Sequence, residues 1–165
     1  FAPRLPSNRV ALESVVRAIE AAGYRPGKEV SIALDAALSE FYDEKKQRYT
    51  FDKQEKTCEE MVEIYKTWCN EFPIVSIEDG CAEGDDKGWR LLTEALGSKV
   101  QLVGDDLFVT NPKRLKKGIE SGYGQSSPLF ALIPPIIGKI TKSNPQMTNI
   151  GIPIRRNINK KHTTP

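Results

Sequence analysis

The sequence predicts an α/β protein built around a parallel sheet. Two observations support this prediction: apolar strand-like segments alternate with helical segments three times before residue 121, and each of these strands runs into acidic residues. Such alternation is typical of βα units, whose parallel strands form an open sheet or close into a barrel. We therefore expect a layered α/β fold and leave the choice between sheet and barrel open at this point.

Each predicted element has recognisable start or stop signals. Ser7 is a suitable N-cap for a first helix that runs to about Ala22 and stops at Gly23. The following elements are a strand at 29–35, a charged and aromatic surface excursion at 39–51, a helix from the capping box of Thr57 and Glu60 to about Asn70, a strand at 72–79, a helix at about 87–96, a strand at 101–103, and a helix opened by Asn111 and Pro112.

Composition excludes several classes of protein. The chain has 165 residues, of which 39% are hydrophobic and 28% charged, as in ordinary globular proteins. No apolar run approaches the ~18 residues of a membrane span, and we recognise no secretory signal. Three sparse cysteines, Cys58, Cys69 and Cys81, predict free thiols and a cytoplasmic location.

Charge divides the chain near residue 121. All 22 Asp and Glu lie in residues 1–121 together with 18 of the 24 Lys and Arg, which leaves 6 basic residues and no acid in 122–165. We predict a folded unit at 1–121 and a divergent basic tail at 122–165, for which disorder is one expectation. The tail lacks a nucleic-acid-binding motif, so no nucleic-acid partner is expected.

Three carboxylates, Asp35, Glu78 and Asp105, follow the three predicted strands. In a parallel sheet the carboxyl ends of the strands lie at one edge, where α/β proteins bind ligands. Oxygen ligands without nearby His or Cys favour a hard cation, Mg²⁺ before Zn²⁺. The alternative is that each acid separately caps a helix or forms a turn, as Asp105 and Asp106 could do after Gly104.

Four long segments resemble the enolase family: "FAPRLPSN", "SIALDAALSEFYDEK", "PIVSIEDG" and "LVGDDLFVTNPKRLKKGI". The resemblance covers residues 1 to about 121 and implies part of a (β/α)8-type, TIM-like barrel. It also implies Mg²⁺-dependent interconversion of 2-phosphoglycerate and phosphoenolpyruvate, with Asp35, Glu78 and Asp105 as metal ligands and Glu78 and Asp105 at the substrate. The full-length family is expected to be homodimeric, and Asp106 is expected to support the turn.

Two catalytic groups of the family have no clear counterpart in this sequence. The family's acid lies in a stretch that precedes "FAP", and its catalytic Lys follows the "NPKRL" helix, whereas no Lys occurs here between Lys117 and Lys139. Lys139 is the nearest candidate base, and its surroundings match poorly. Asp86 stands where the family commonly has Trp. Half a barrel also leaves strand edges unpaired, so we expect low stability and little or no turnover.

The segment "FYDEKKQRY" at 41–49 supports an alternative hypothesis. It resembles a surface segment through which some bacterial enolases bind plasminogen, with Lys45 and Lys46 as the candidate contacts. A non-catalytic enolase remnant, or a plasminogen-binding protein with a secondary location at the cell surface, is therefore the alternative to a lyase. The competing interpretation of this segment is a solvated, charged loop.

Overall fold

The computed structural model describes residues 5–123 and the backbone of residues 148–153. The elements in chain order are α1 (Asn8–Ala21), β1 (Val30–Asp35), β2 (Tyr42–Asp43), β3 (Arg48–Phe51), β4 (Gln54–Lys56), α2 (Cys58–Glu71), β5 (Ile74–Glu78), α3 (Asp86–Leu96), β6 (Gln101–Val103), α4 (Pro112–Ser121) and β7 (Thr148–Pro153), with a 3₁₀ helix at Leu38–Phe41.

Four strands form a parallel sheet in the order β6-β5-β1-β7. The described strands leave this sheet open, and its two edges are β6 and β7. The predicted α/β class is confirmed, and the open parallel sheet is consistent with part of a barrel. Within the basic tail, the backbone of β7 pairs with β1 along its whole length, from Val30 opposite Thr148 to Asp35 opposite Pro153.

The helix ends follow the signals in the sequence. Ser7 caps α1 by accepting a hydrogen bond from the N–H of Val10, and the capping box of Thr57 and Glu60 opens α2. Asn111 caps α4, with Pro112 at its first position. These predictions are confirmed, although α3 begins at Asp86, one residue before the predicted start.

The core lies between the parallel sheet and the helices, with α2 packed on α3 and β5. Its fully or almost fully buried side chains include Ile32, Leu34, Met61, Tyr65, Ile77, Trp89, Leu92 and Leu102. No helix in the described part of the chain is long and apolar enough to cross a membrane. Cys58, Cys69 and Cys81 are free thiols, as predicted.

The interpretation of residues 39–51 as a surface excursion is wrong for its second half. β2, β3 and β4 form an antiparallel sheet, and along β3 exposed and buried residues alternate. Tyr49 and Phe51 face the core, with 0% and 3% exposure, while Arg48 and Thr50 face solvent. The many charged residues of this segment suggested that all of it is exposed. In a strand, however, successive side chains face opposite sides, so Arg48 lies in solvent while its neighbour Tyr49 is buried.

Candidate metal centre

Strand register places two of the predicted ligands side by side. Asp35 and Glu78 are the last residues of β1 and β5, and they are direct partners in the parallel ladder between these strands. Residues paired in this way direct their side chains to the same face of the sheet. The two carboxylates therefore lie together at the carboxyl edge, as the sequence predicted.

The third predicted residue, Asp105, lies on the next strand connection. β6 pairs with β5 so that Val103 is opposite Glu78, and Asp105 follows two residues later. Its side chain is exposed, whereas those of Asp35 and Glu78 are partly buried. Asp105 is close enough to Asp35 and Glu78 to raise the pKa of both carboxyl groups by charge repulsion.

The tightest group of carboxylates contains a residue that the sequence analysis did not select. Asp35, Glu78 and Asp79 each offer an oxygen, and these oxygens lie within 4.8 Å of one another. Asp79 is only 4% exposed. The signal available in the sequence was the second acid of "SIED", which pairs two acids at a strand end as "GDD" does.

Burial and mutual repulsion raise the pKa values of all three carboxyl groups. For Asp35 and Glu78 burial is the largest cause, and the neighbouring carboxylates add to it. The pKa of Asp79 rises to about 6, mainly through burial, although hydrogen bonds from Asp106 and Leu107 oppose the rise. The charges that raise these pKa values are carboxylates, so a cation at this position would relieve the repulsion.

Hydrogen bonds of Asp79 connect the end of β5 to the end of β6 and to the segments that follow β1 and β6. Its N–H donates to the carbonyl of Val103 at 2.9 Å, and its carbonyl accepts from the N–H of Leu38 at 3.1 Å. Its Oδ2 accepts from the N–H of Asp106 at 3.1 Å. Its Oδ1 is buried and has no hydrogen-bond partner among the described residues.

A helical turn begins at Asp105. The carbonyl of Asp105 accepts from the N–H groups of Phe108 at 3.2 Å and Val109 at 2.7 Å. Gly104 permits this turn because a Cβ at that position would lie 2.8 Å from the Cβ of Leu107. The turn interpretation of "GDD" and the ligand interpretation are therefore compatible, since the turn uses the backbone of Asp105.

A buried hydrogen-bond network supports the connection between β5 and α3. The hydroxyl of Tyr49 donates to Oδ2 of Asp85 at 2.7 Å and accepts from the N–H of Ala82 at 3.0 Å. Oδ1 of Asp85 accepts from the N–H of Gly88 at 2.8 Å and thereby caps α3. This network holds the segment directly after Glu78 and Asp79 against the antiparallel sheet.

Two ion pairs tie α4 to the connection between β5 and α3. Arg114 pairs with Glu83 and also reaches the carbonyl of Asp106 at 3.4 Å. Lys117 pairs with Asp86 at 2.6 Å, and the hydroxyl of Tyr123 donates to the same carboxylate at 2.8 Å. Asp86 therefore has a polar environment that suits a carboxylate.

The other predicted site residues are lysines. Lys45 and Lys46 belong to the exposed turn between β2 and β3, where Asp43 accepts from both of their backbone N–H groups and Lys46 pairs with Glu55. Lys139, the candidate base, lies outside the described residues. The division of the chain at residue 121 stays a prediction.

The parallel βα units and the acidic carboxyl edge define a protein of the (β/α)-barrel class with a candidate cation site. Comparison with known families gives a match to the family described as "Enolase, C-terminal TIM barrel domain" over residues 1–146. The chain belongs to this family. This match extends to residue 146, whereas the sequence motifs that resemble the family end at about residue 121.

Proposed function

We propose that this chain carries the magnesium site of an enolase-type lyase, with Asp35, Glu78 and Asp105 as its ligands. The reaction would be the reversible dehydration of 2-phosphoglycerate to phosphoenolpyruvate in glycolysis. The observation that carries the proposal is the register pairing of Asp35 with Glu78 at the carboxyl edge, with Asp105 on the adjacent connection. Membership of the family supports the same assignment.

The chemistry of the residues suits magnesium. The candidate ligands are carboxylate oxygens, and Mg²⁺ prefers such hard ligands while it keeps part of its water shell. Partial exposure of Asp35 and Glu78, and the greater exposure of Asp105, leave room for water and substrate oxygens. The raised pKa values of Asp35 and Glu78 also fit, because a cation would offset the repulsion that contributes to them.

Each part of the chain has a separate task in this proposal. Magnesium supplies positive charge that stabilises the substrate carboxylate as a proton leaves the adjacent carbon. Glu78 and Asp105 would hold the cation at the substrate, and Asp35 would be the third ligand. The backbone bonds of Asp79 to Val103 and Leu38 keep the strand connections that carry these ligands in place.

Removal of the substrate proton requires a base, for which Lys139 is the candidate in this sequence. It is the first Lys after Lys117 and therefore the nearest one to the position expected in the family. Because its sequence surroundings match poorly, we expect metal binding with little or no turnover from this chain. Homodimerisation and a cytoplasmic location remain proposals that follow from the family.

Metal binding and turnover should be measured separately. Mn²⁺ binding, followed by electron paramagnetic resonance with Mg²⁺ as competitor, should weaken at least ~10-fold in Asp105→Ala and in Glu78→Gln. Glu94→Gln is a matched control because Glu94 is exposed on α3, away from the strand ends. Phosphoenolpyruvate formation from 2-phosphoglycerate should be at background, and any activity should require both Mg²⁺ and Asp105.

These measurements have clear opposing outcomes. Wild-type chain that binds Mn²⁺ no better than Asp105→Ala would contradict the metal assignment. Ordinary enolase turnover would contradict the expectation of weak activity, and Lys139→Ala would then show whether Lys139 is the base. Metal binding without turnover would support a metal-binding remnant of the family.

A second candidate function is plasminogen binding through residues 41–49. The observation that favours it is the exposure of Lys45 and Lys46 in the turn between the paired strands β2 and β3. Binding to immobilised plasminogen should fall in Lys45→Ala/Lys46→Ala and persist in Lys28→Ala, a change at another exposed Lys. Absence of binding by the wild-type chain would remove this candidate.

A further inference from the structure

We propose that Asp79 is a positioning residue that caps the turn at 105–109 from the neighbouring strand and so fixes the backbone that carries Asp105, a proposed metal ligand. The inference rests on the proposed function for its last step, the use of Asp105 by a cation. Its first step, the cap, concerns only hydrogen bonds between described residues. The two steps can therefore be tested separately.

The turn at 105–109 needs acceptors at its N-terminal end. Asp105 occupies the N-cap position, because its carbonyl accepts from the N–H groups of Phe108 and Val109. The first N–H groups of such a turn have no partner within it. The N–H of Asp106 is the first of these groups, and the side chain of an N-cap residue ordinarily accepts from the second or third one instead.

Asp79 supplies the acceptor from β5. Its Oδ2 accepts from the N–H of Asp106 at 3.1 Å. The N–H of Asp79 donates to the carbonyl of Val103 at 2.9 Å, so the backbone and side chain of Asp79 bind the residues on both sides of Gly104. These two bonds fix the backbone that carries the exposed side chain of Asp105.

Burial separates the role of Asp79 from that of a direct ligand. Asp79 is 4% exposed, and one of its oxygens is engaged with the turn. Mg²⁺ loses its water reluctantly, so partly exposed carboxylates such as Asp35 and Glu78 suit it better. The second oxygen of Asp79 is buried without a hydrogen-bond partner among the described residues, and its negative charge lies beside Asp35 and Glu78.

The backbone conformation of Asp79 decides which variants are informative. Its φ of 44° lies in the left-handed region, which Gly and Asn adopt at a lower energetic cost than Ala. Asp79→Gly removes the acceptor without imposing backbone strain. Asp79→Asn keeps an acceptor oxygen for the turn while it removes the charge.

Hydrogen exchange of the metal-free chain, measured by NMR at the amide of Asp106, tests the cap. This amide should exchange at least ~10-fold faster in Asp79→Gly and stay protected in Asp79→Asn, since only the former loses the hydrogen bond. The amide of Tyr65, in the middle of α2, should be unchanged and reports that each variant is folded. Mn²⁺ affinity should fall ~10- to 100-fold in Asp79→Gly and less in Asp79→Asn.

Three outcomes would overturn parts of this inference. Unchanged protection of the Asp106 amide in Asp79→Gly would refute the cap. Protection that persists in Asp79→Asn, combined with a loss of Mn²⁺ binding as large as in Asp35→Ala, would make Asp79 a ligand. A wild-type chain that shows the protection pattern and binds no Mn²⁺ would refute the proposed function and leave the cap supported.

Discussion

The hydroxyl of Tyr49 donates a buried 2.7 Å hydrogen bond to the carboxylate of Asp85, which lies 36 residues further along the chain. This bond joins β3 to the connection between β5 and α3. Asp85 also caps α3 through Gly88, and Tyr49 accepts from Ala82. One pair of side chains thus links the small antiparallel sheet, the start of a helix and the segment that follows the candidate ligands.

Tyr49→Phe should destabilise the chain by about 1–3 kcal/mol, because it leaves Oδ2 of Asp85 and the N–H of Ala82 buried without this partner. The ring remains, so packing is nearly unchanged. The urea midpoint of unfolding, followed by tryptophan fluorescence, measures the effect. Tyr24→Phe is the control because Tyr24 is 54% exposed; equal midpoints for the two variants would contradict the prediction.

Stability of the metal-free chain should fall as pH rises from about 4.5 to 7. The pKa of Asp79 is about 6 in the folded chain, against about 3.9 in an unfolded chain. The folded state therefore binds the proton more tightly, and its stabilisation is complete below the unfolded pKa and lost as pH rises through the folded pKa. The shifts of Asp35 and Glu78 have the same sign.

The measurement is the urea midpoint at pH 4.5, 5.5, 6.5 and 7.5 without divalent ions. Asp79→Asn should flatten the decline, since the amide cannot ionise. Carboxylates with lowered pKa values, such as Glu59 at about 2, lose their favourable contribution only at more acid pH and do not interfere. A stability that rises across this interval, or a decline as steep in Asp79→Asn, would contradict the assignment.

Glu78→Gln should stabilise the metal-free chain at pH 7, by no more than about 1 kcal/mol because solvent screens this partly exposed group, and should remove its stabilisation by Mg²⁺. The first effect has two causes: burial of the Glu78 carboxylate and, second, repulsion by the neighbouring carboxylates, which are Asp35, Asp79, Asp105 and Asp106. The second effect follows from the loss of a ligand, because a cation that binds the folded state raises its stability.

Thermal unfolding with 0 and 10 mM MgCl2 measures both effects, with Glu94→Gln as the control. We expect Glu78→Gln to unfold at a higher temperature than the wild-type chain without Mg²⁺ and at a lower temperature with Mg²⁺. A carboxylate with only a structural role would not give these opposite differences. Destabilisation in both conditions would instead indicate that Glu78 has a structural role, and the metal assignment would lose its support.

Deletion of residues 148–165 should increase association of the chain. β7 covers one edge of β1, and its removal exposes the backbone N–H and C=O groups of Val30–Asp35 that now pair with it. Deletion of residues 154–165 keeps β7 and is the matched control. Light scattering after size-exclusion chromatography measures association; equal behaviour of the two truncated chains would show that β7 does not protect this edge.

Local patterns in the sequence determined the elements and the edge at which the acids meet. Ser7, Thr57 and Asn111 predicted helix starts because a capping side chain bonds to a backbone N–H only two or three residues away. Short apolar runs predicted the buried strands, since a few consecutive residues are enough to show this pattern. The presence of Asp35 and Glu78 at one edge could be predicted because parallel strands share a carboxyl edge, whereas their direct pairing depends on strand order and register.

Tertiary structure decided the hydrogen-bond partners and the burial of several residues, which no local sequence pattern encodes. The burial of Tyr49 depends on Asp85 and Ala82, which are distant in sequence, and the role of Asp79 depends on its reach to Asp106 across a strand boundary. The pairing of β7 with β1 joins residues more than 110 positions apart. In each case the sequence supplies the chemical groups, while the hydrogen-bond partner and the degree of burial are fixed by long-range packing.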